Sequence, residues 1–153
     1  MITKDLIHEA QNKWGEGIVK IGSLKNNQSE CIDFTTSFLN DMYNFKNGEV
    51  LFKPTKAANE QFRPNFSMAL SYFLGGDNSF CSEDDGFAMK PWVEVKFENS
   101  GFIIEKDRAI AMGNYFFTSQ DNLTVKVEYT FGYKLRNGKL VIDLHHSSLP
   151  FSV

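Results

Sequence analysis

Apolar positions recur at helical spacing over the first part of the chain and in alternation over its last part. From Thr3 to about Leu24, Ile7, Ala10, Trp14, Ile18 and Ile21 fall on one stripe, which predicts an amphipathic helix. Thr3 is a suitable N-cap, and Asp5 stands in the first turn, where negative charge is favoured. Gly15 and Gly17 weaken that helix but permit close packing against a neighbour. A second stripe, Cys31, Phe34, Phe38, Met42 and Phe45, predicts a helix from about Ser29 that ends at Lys46-Asn47-Gly48. "EVLFKPT" (49–55) reads as a short strand stopped by Pro54. A third helix is expected from about Asn65 to Leu74, with Phe66, Leu70 and Phe73 inward and Gly75-Gly76 closing it.

From Pro91 onward the period changes to that of strands. "WVEVKFEN" (92–99) alternates, with Val93, Val95 and Phe97 on one face. "RAIAMGNYFFTS" (108–119) is apolar on both faces, as for a central strand. "LTVKVEYTFGYKL" (123–135) alternates again, and "RNGK" (136–139) is a type I′ hairpin signal. The last strand is "LVIDLHHSSLPF" (140–151). Helices gathered first and strands last predict an α+β fold in a single domain, 1–153, with three helices packed on a curved, mainly antiparallel sheet. Phe-rich helices against such a sheet enclose an apolar, cone-shaped interior.

The Asn137-Gly138 turn fixes an expected register. A two-residue loop sets Leu135 opposite Leu140 and Tyr133 opposite Ile142. Continued without interruption, it sets Phe131 opposite Leu144, Tyr129 opposite His146 and Val127 opposite Ser148. Alternation then puts Leu140, Ile142, Leu144, His146 and Ser148 on the inner face, and Asp143, His145 and Ser147 on the outer one. His146, Ser148 and Tyr129 become polar groups in an apolar interior. They are either satisfied core residues or a small anion site in which His146 moves a proton. Phe131, Tyr129, Phe116 and Phe73 are candidate walls.

Composition narrows the function classes. The chain has 153 residues, of which 42% are hydrophobic, with 15 Phe, enough for one packed core. Scattered Lys and Arg (16) are outnumbered by Asp and Glu (19), so no nucleic-acid footprint is present. No apolar run approaches a membrane span, and "MITKDLIHEAQNKW" lacks the apolar centre of a signal peptide, so a cytoplasmic location is expected. Cys31 and Cys81 are isolated and form no CxxC or Cys/His cluster. Adjacent histidines on a strand diverge, His8 sits on a distant helix, and no HxH pair occurs, so no metal site is expected. The acidic segment 75–87 does not match the EF-hand spacing and reads as a solvated loop.

Specific segments carry a family resemblance. The helix order and meander resemble the cone-shaped fold of the nuclear transport factor 2 superfamily. Residues 129–151 resemble the association domain of calcium/calmodulin-dependent protein kinase II. More narrowly, "VLFKPTKAANEQFR" (50–63), "ALSYFLGG" (69–76), "AIAMGNYFFT" (109–118), "VEYTFGY" (127–133) and "HHSSLP" (145–150) resemble iota-class carbonic anhydrases. The resemblance spans roughly residues 10–151. It implies reversible hydration of carbon dioxide to bicarbonate, in a class whose members include metal-free enzymes. It also implies site residues: Thr55 of "KPT", Tyr72 of "SYF", and His146 and Ser148 of "HHSS". Thr55, Tyr72 and Ser148, with Tyr129, are then donors to bicarbonate, and His146 is general base or relay, with no cofactor and no metal. Many members read "HHHSS" where Leu144 stands here; alternation puts Leu144 inside, leaving the pocket one polar group fewer. A homodimer joined through the outer sheet face is expected. Two alternatives stay open: a binding or isomerase pocket for larger hydrophobic ligands, marked by a cavity of several hundred cubic ångströms, and a non-catalytic association module.

Overall fold

The computed structural model describes residues 1–77 and 79–153. Helix α1 spans Lys4–Ser23, α2 Gln28–Met42 and α3 Phe66–Leu74. Each begins at a side-chain cap that accepts a backbone N–H: Thr3 from Leu6, Asn27 from Glu30, Asn65 from Met68. Strand β1 is Leu51–Lys53, β2 Trp92–Ile104, β3 Arg108–Ser119, β4 Thr124–Arg136 and β5 Lys139–Ser148. Short 3₁₀ turns follow α2 at Asn44–Lys46 and precede β2 at Phe87–Met89. The element order is the one expected from the periodicity.

The strands form one sheet ordered β1-β5-β4-β3-β2, antiparallel except for the parallel β1–β5 edge. Bulges in β2 at its start and between Asn99 and Gly101 curl the sheet around α1. The α1 stripe, Ile7, Ala10, Trp14, Ile18 and Ile21, is buried on the concave face. Close approach explains Gly17: a Cβ there would lie 2.0 Å from Phe38 Cε1, so any larger residue would force the Phe38 ring of α2 to move.

The β4–β5 hairpin departs from the expected register halfway along. Leu135 opposes Leu140 and Tyr133 opposes Ile142, as the turn dictates. Then Gly132 pairs with Leu144, so Asp143 is an extra residue, a β-bulge. Beyond it Phe131 opposes His145, Tyr129 opposes Ser147 and Glu128 opposes Ser148. Every side chain after the bulge changes face. His145 and Ser147 are 2% and 1% exposed, whereas His146 is exposed and Ser148 half-buried. The inward placement of His146 and Ser148 is therefore overturned, and so is that of Leu144. Leu144 is half-buried on the outer side, paired with Leu51, and removes no polar group from the interior.

Two features accommodate the bulge. Gly132 carries no Cβ; one built there would stand 2.7 Å from Leu144 Cβ. The bulged Asp143 accepts from Arg108 of β3 at 2.6 Å, holding the extra residue down. Gly132→Ala should therefore cost about 1–3 kcal/mol through overpacking. Urea denaturation would measure it, and an unchanged midpoint would show that the bulge does not depend on this glycine.

Candidate active site

The bulge turns His145 and Ser147 into a small space beneath α1. Its lining is Trp14 of α1, Pro54 and Thr55 after β1, Tyr72 and Phe73 of α3, Phe87 of the second 3₁₀ turn, Tyr115 of β3, and His145 and Ser147. The room for a water-sized centre inside is about 10 Å³, close to the minimum for a single water. A large hydrophobic ligand does not fit this interior.

Hydrogen bonds join its polar members. Trp14 Nε1–H donates to the Tyr43 hydroxyl at 3.0 Å. That hydroxyl lies 2.8 Å from His145 Nδ1. On the other side of the ring, His145 Nε2 is 3.0 Å from both the Tyr115 hydroxyl and Ser147 Oγ. Tyr115 and Ser147 also bond each other. The imidazole is stacked on Phe52 at 4.7 Å and edge-on to Phe131 at 4.3 Å. Thr55 lies beside the phenols of Tyr72 and Tyr115, lowering both against the larger rise caused by burial.

The loop bearing Thr55 is tied on several sides. The Lys56 N–H donates to the Tyr72 hydroxyl at 3.2 Å. The Glu83 carboxylate accepts from the N–H groups of Ala58, Asn59 and Glu60, bonds that hold its carboxyl below the usual range. The Arg63 guanidinium, fully buried, makes two 2.8 Å bonds to Asp84. Asp84 also accepts from Ser71, the neighbour of Tyr72 on α3. Part of the acidic segment 75–87 is thus structural rather than solvated; its residue 78 lies outside the described residues. Lys53, half-buried, donates to the Ser147 carbonyl at 3.1 Å and steadies the end of β5.

Burial decides the charge state. It pushes the Tyr72 and Tyr115 phenols well above their ordinary value and holds His145 well below the usual imidazole value, with His146 adding a smaller push in the same direction. At neutral pH these lining groups are uncharged. Among the described residues, no group of three His, Cys, Asp or Glu side chains is placed to hold a metal ion.

Of the residues expected at the site, the structure brings Thr55 and Tyr72 together and leaves His146 and Ser148 outside. Tyr129 does not line the space either. Its ring packs under Tyr115, and its hydroxyl belongs to a separate network with Gln11 and Asn99. Phe73 is a wall as expected, Phe131 backs the histidine, and Phe116 faces outward between Lys96 and Lys126. Sequence reasoning missed Tyr115, Tyr43, Trp14, His145 and Ser147 as site residues. The available signals were an isolated glycine in β4 and an aspartate breaking an apolar run in β5, both marks of a bulge.

Fold and pocket together define a domain with the nuclear transport factor 2-like fold and a very small, neutral, hydrogen-bonding pocket. The model of the metal-independent carbonic anhydrase family matches residues 5–149. A metal-independent carbonic anhydrase from Nostoc sp. (strain PCC 7120) is 36% identical over 154 residues, covering 98% of this chain and 75% of that protein. The crystal structure of a cyanobacterial iota-carbonic anhydrase complexed with bicarbonate matches with a TM-score of 0.94 at 34% identity, covering 99% of this chain and 94% of that one. A calcium/calmodulin-dependent protein kinase II association domain from Xanthomonas campestris shares the fold alone, with a TM-score of 0.66 at 21% identity over 96% of this chain and 87% of that one. The chain belongs to the metal-independent carbonic anhydrase family. It is an enzyme of reversible carbon dioxide hydration, in a family that works without a metal.

The depressed His145 value has a definite consequence for stability. Below pH 6.5, the ordinary imidazole value, the unfolded chain binds a proton that the folded chain does not. This contribution is full above pH 6.5 and is lost as the solution is acidified. Thermal melts from about pH 7.5 to about pH 4.5 should show a smaller acid decline in His145→Gln than in wild type. Equal declines would mean that His145 takes up a proton in place.

Proposed function

We propose that carbon dioxide is hydrated in the space between Thr55, Tyr72, Tyr115, His145 and Ser147. The observation that carries this is the convergence of five neutral polar side chains on a pocket the size of one water, walled by Trp14, Phe73 and Phe87. The aromatic walls suit the apolar gas, and the hydroxyls suit water and bicarbonate.

In the forward direction the pocket, which at rest has room for about one water, widens to admit carbon dioxide beside a water held by Thr55 and Ser147, and that water attacks the carbon. Its oxygen forms the new C–O bond, and one C=O electron pair moves onto a carbon dioxide oxygen. One water proton passes to Ser147 Oγ as the serine gives its own proton to that oxygen. The product, carbonic acid, ionises to bicarbonate and a proton on reaching bulk water. Tyr72, Tyr115 and Thr55 donate to the oxygens that gain charge, in a site shielded from solvent where such bonds count most. No step needs a charged group in the pocket or a bound cofactor. The pocket is too small for the ligand-binding alternative, which needs several hundred cubic ångströms.

We also propose that the working form is a cytoplasmic homodimer joined through the outer sheet face, where Ile103 and Met112 are exposed. No described helix is long and apolar enough to cross a membrane. Light scattering that reads a monomer at assay concentration would remove the dimer from this reading.

Stopped-flow carbon dioxide hydration tests the site. Ser147→Ala and Thr55→Ala should each lower kcat/KM by roughly 10²-fold, the usual effect of losing one pre-placed donor. His146→Ala and Ser148→Ala should stay near wild type, since their side chains face outward. The reverse pattern would return the site to the outward pair. Activity lost to a chelator and restored by an ion would refute the cofactor-free form.

A further inference from the structure

The hydrogen bonds around His145 have a direction, and it is set on the Nδ1 side of the ring, away from Ser147. An indole Nε1–H can only donate. Trp14 therefore occupies a Tyr43 oxygen lone pair at 3.0 Å, and the Tyr43 hydroxyl proton needs another acceptor. Tyr43 is 1% exposed, and the partner it has for that proton is His145 Nδ1 at 2.8 Å. Donating there requires Nδ1 to be unprotonated. A neutral imidazole then carries its proton on Nε2.

The count on the far side of the ring follows. Nε2–H, the Tyr115 hydroxyl and the Ser147 hydroxyl form a triangle of mutual contacts. With Nε2 protonated, no lone pair remains on that nitrogen. The triangle can absorb only two of its three protons, and one O–H is left to point out of it, toward the pocket that Thr55 also lines. With the opposite tautomer, Nε2 would accept, all hydroxyl protons would be absorbed, and the Tyr43 proton would be stranded in the core, at the cost of an unsatisfied buried donor.

We infer that Trp14 and Tyr43 are positioning residues that lock His145 as the Nε2–H tautomer, so that the histidine serves as a donor that aims a surplus hydroxyl proton at the substrate, not as the base that takes the reaction's proton. The groups facing His145 agree with this role. They are Trp14 from α1, Tyr43 beyond α2, Phe52 from β1, Tyr115 from β3 and Phe131 from β4, with Lys53 bonded to the Ser147 carbonyl and His146 turned outward. The inference rests on the proposed hydration site, but its first test does not require activity.

Long-range ¹H–¹⁵N correlation spectra of the ¹⁵N-histidine-labelled protein at neutral pH report the tautomer directly. The expected result is a bare Nδ1 and a protonated Nε2 for His145; an Nδ1–H tautomer or a charged ring overturns the inference. Tyr43→Phe should move the Nδ1 resonance toward that of a free imine nitrogen and lower hydration by roughly tenfold, about the worth of one hydrogen bond. An Nδ1 resonance that stays in place overturns the assignment whatever the rate. His145→Gln keeps a donor but cannot act as a base near neutral pH. It should lose roughly tenfold, against roughly 10²-fold or more for His145→Ala. Glutamine as damaging as alanine would make the histidine a base and refute the donor role. Should the wild type hydrate no carbon dioxide, the proposed function fails while the tautomer result still decides the wiring.

Discussion

One inserted residue in β5 decides what this interior contains. Without Asp143 as a bulge, alternation would bury Leu144 and present His146 and Ser148 to the core. With it, a leucine is turned half out and a histidine and serine are turned in. Burial preference alone favours the first arrangement, since it would bury Leu144 fully, while either arrangement takes one histidine and one serine out of water. The folded protein offsets that loss through the bonds His145 and Ser147 make to Tyr43 and Tyr115. Those partners come from the end of α2 and from β3, so the bulge and the surrounding phenols make sense only together. A local rule is broken where the chemistry sits, and the neighbours are built to match.

The second constraint is neutrality. Burial raises the phenols and lowers the imidazole, so both families of titratable group are held uncharged across the neutral range. The charges that organise the site lie one layer out. Arg63, Asp84 and Glu83 fix the loop that carries Thr55 and the helix that carries Tyr72, and none of the three lines the pocket. A positive charge inside so small a space would bind bicarbonate tightly and slow its departure. Rigid neutral donors instead favour the charge that develops during reaction and release the product once it is hydrated.

Much of the fold was legible in the sequence because it rests on local rules. The Thr3 cap, two helical stripes and the Asn137-Gly138 turn each act over a few residues, and each appears where the pattern put it. The inner face of β4 was also legible, since Val127, Tyr129, Phe131 and Tyr133 follow the turn without interruption. The upper half of β5 was not, because periodicity has no place for an extra residue; Gly132 and Asp143 marked it only as irregularities. Tyr115 lies on a strand apolar on both faces, so alternation could not choose its side. Tyr43 lies past a helix end, where no period applies. Thr55 and Tyr72 were reached by resemblance, and what joins them is a loop locked by Arg63 and Asp84, residues separated in sequence and paired only by the fold.

The wiring also explains why aromatic residues crowd this end of the cone. A hydrogen-bond chain keeps its direction only if water cannot enter and supply alternative donors and acceptors. Trp14 serves both needs: its indole stacks on Tyr115 and meets Phe97, Phe117, Phe131 and His145 edge-on, while its N–H sets the direction of the chain. Phe52 covers one face of the imidazole, and Phe131 meets it edge-on. The same side chains that stabilise the core by burial thus preserve the proton arrangement that leaves a donor at the pocket. Stability and function here share residues rather than compete for them, apart from the single step at Asp143 where the register gives way.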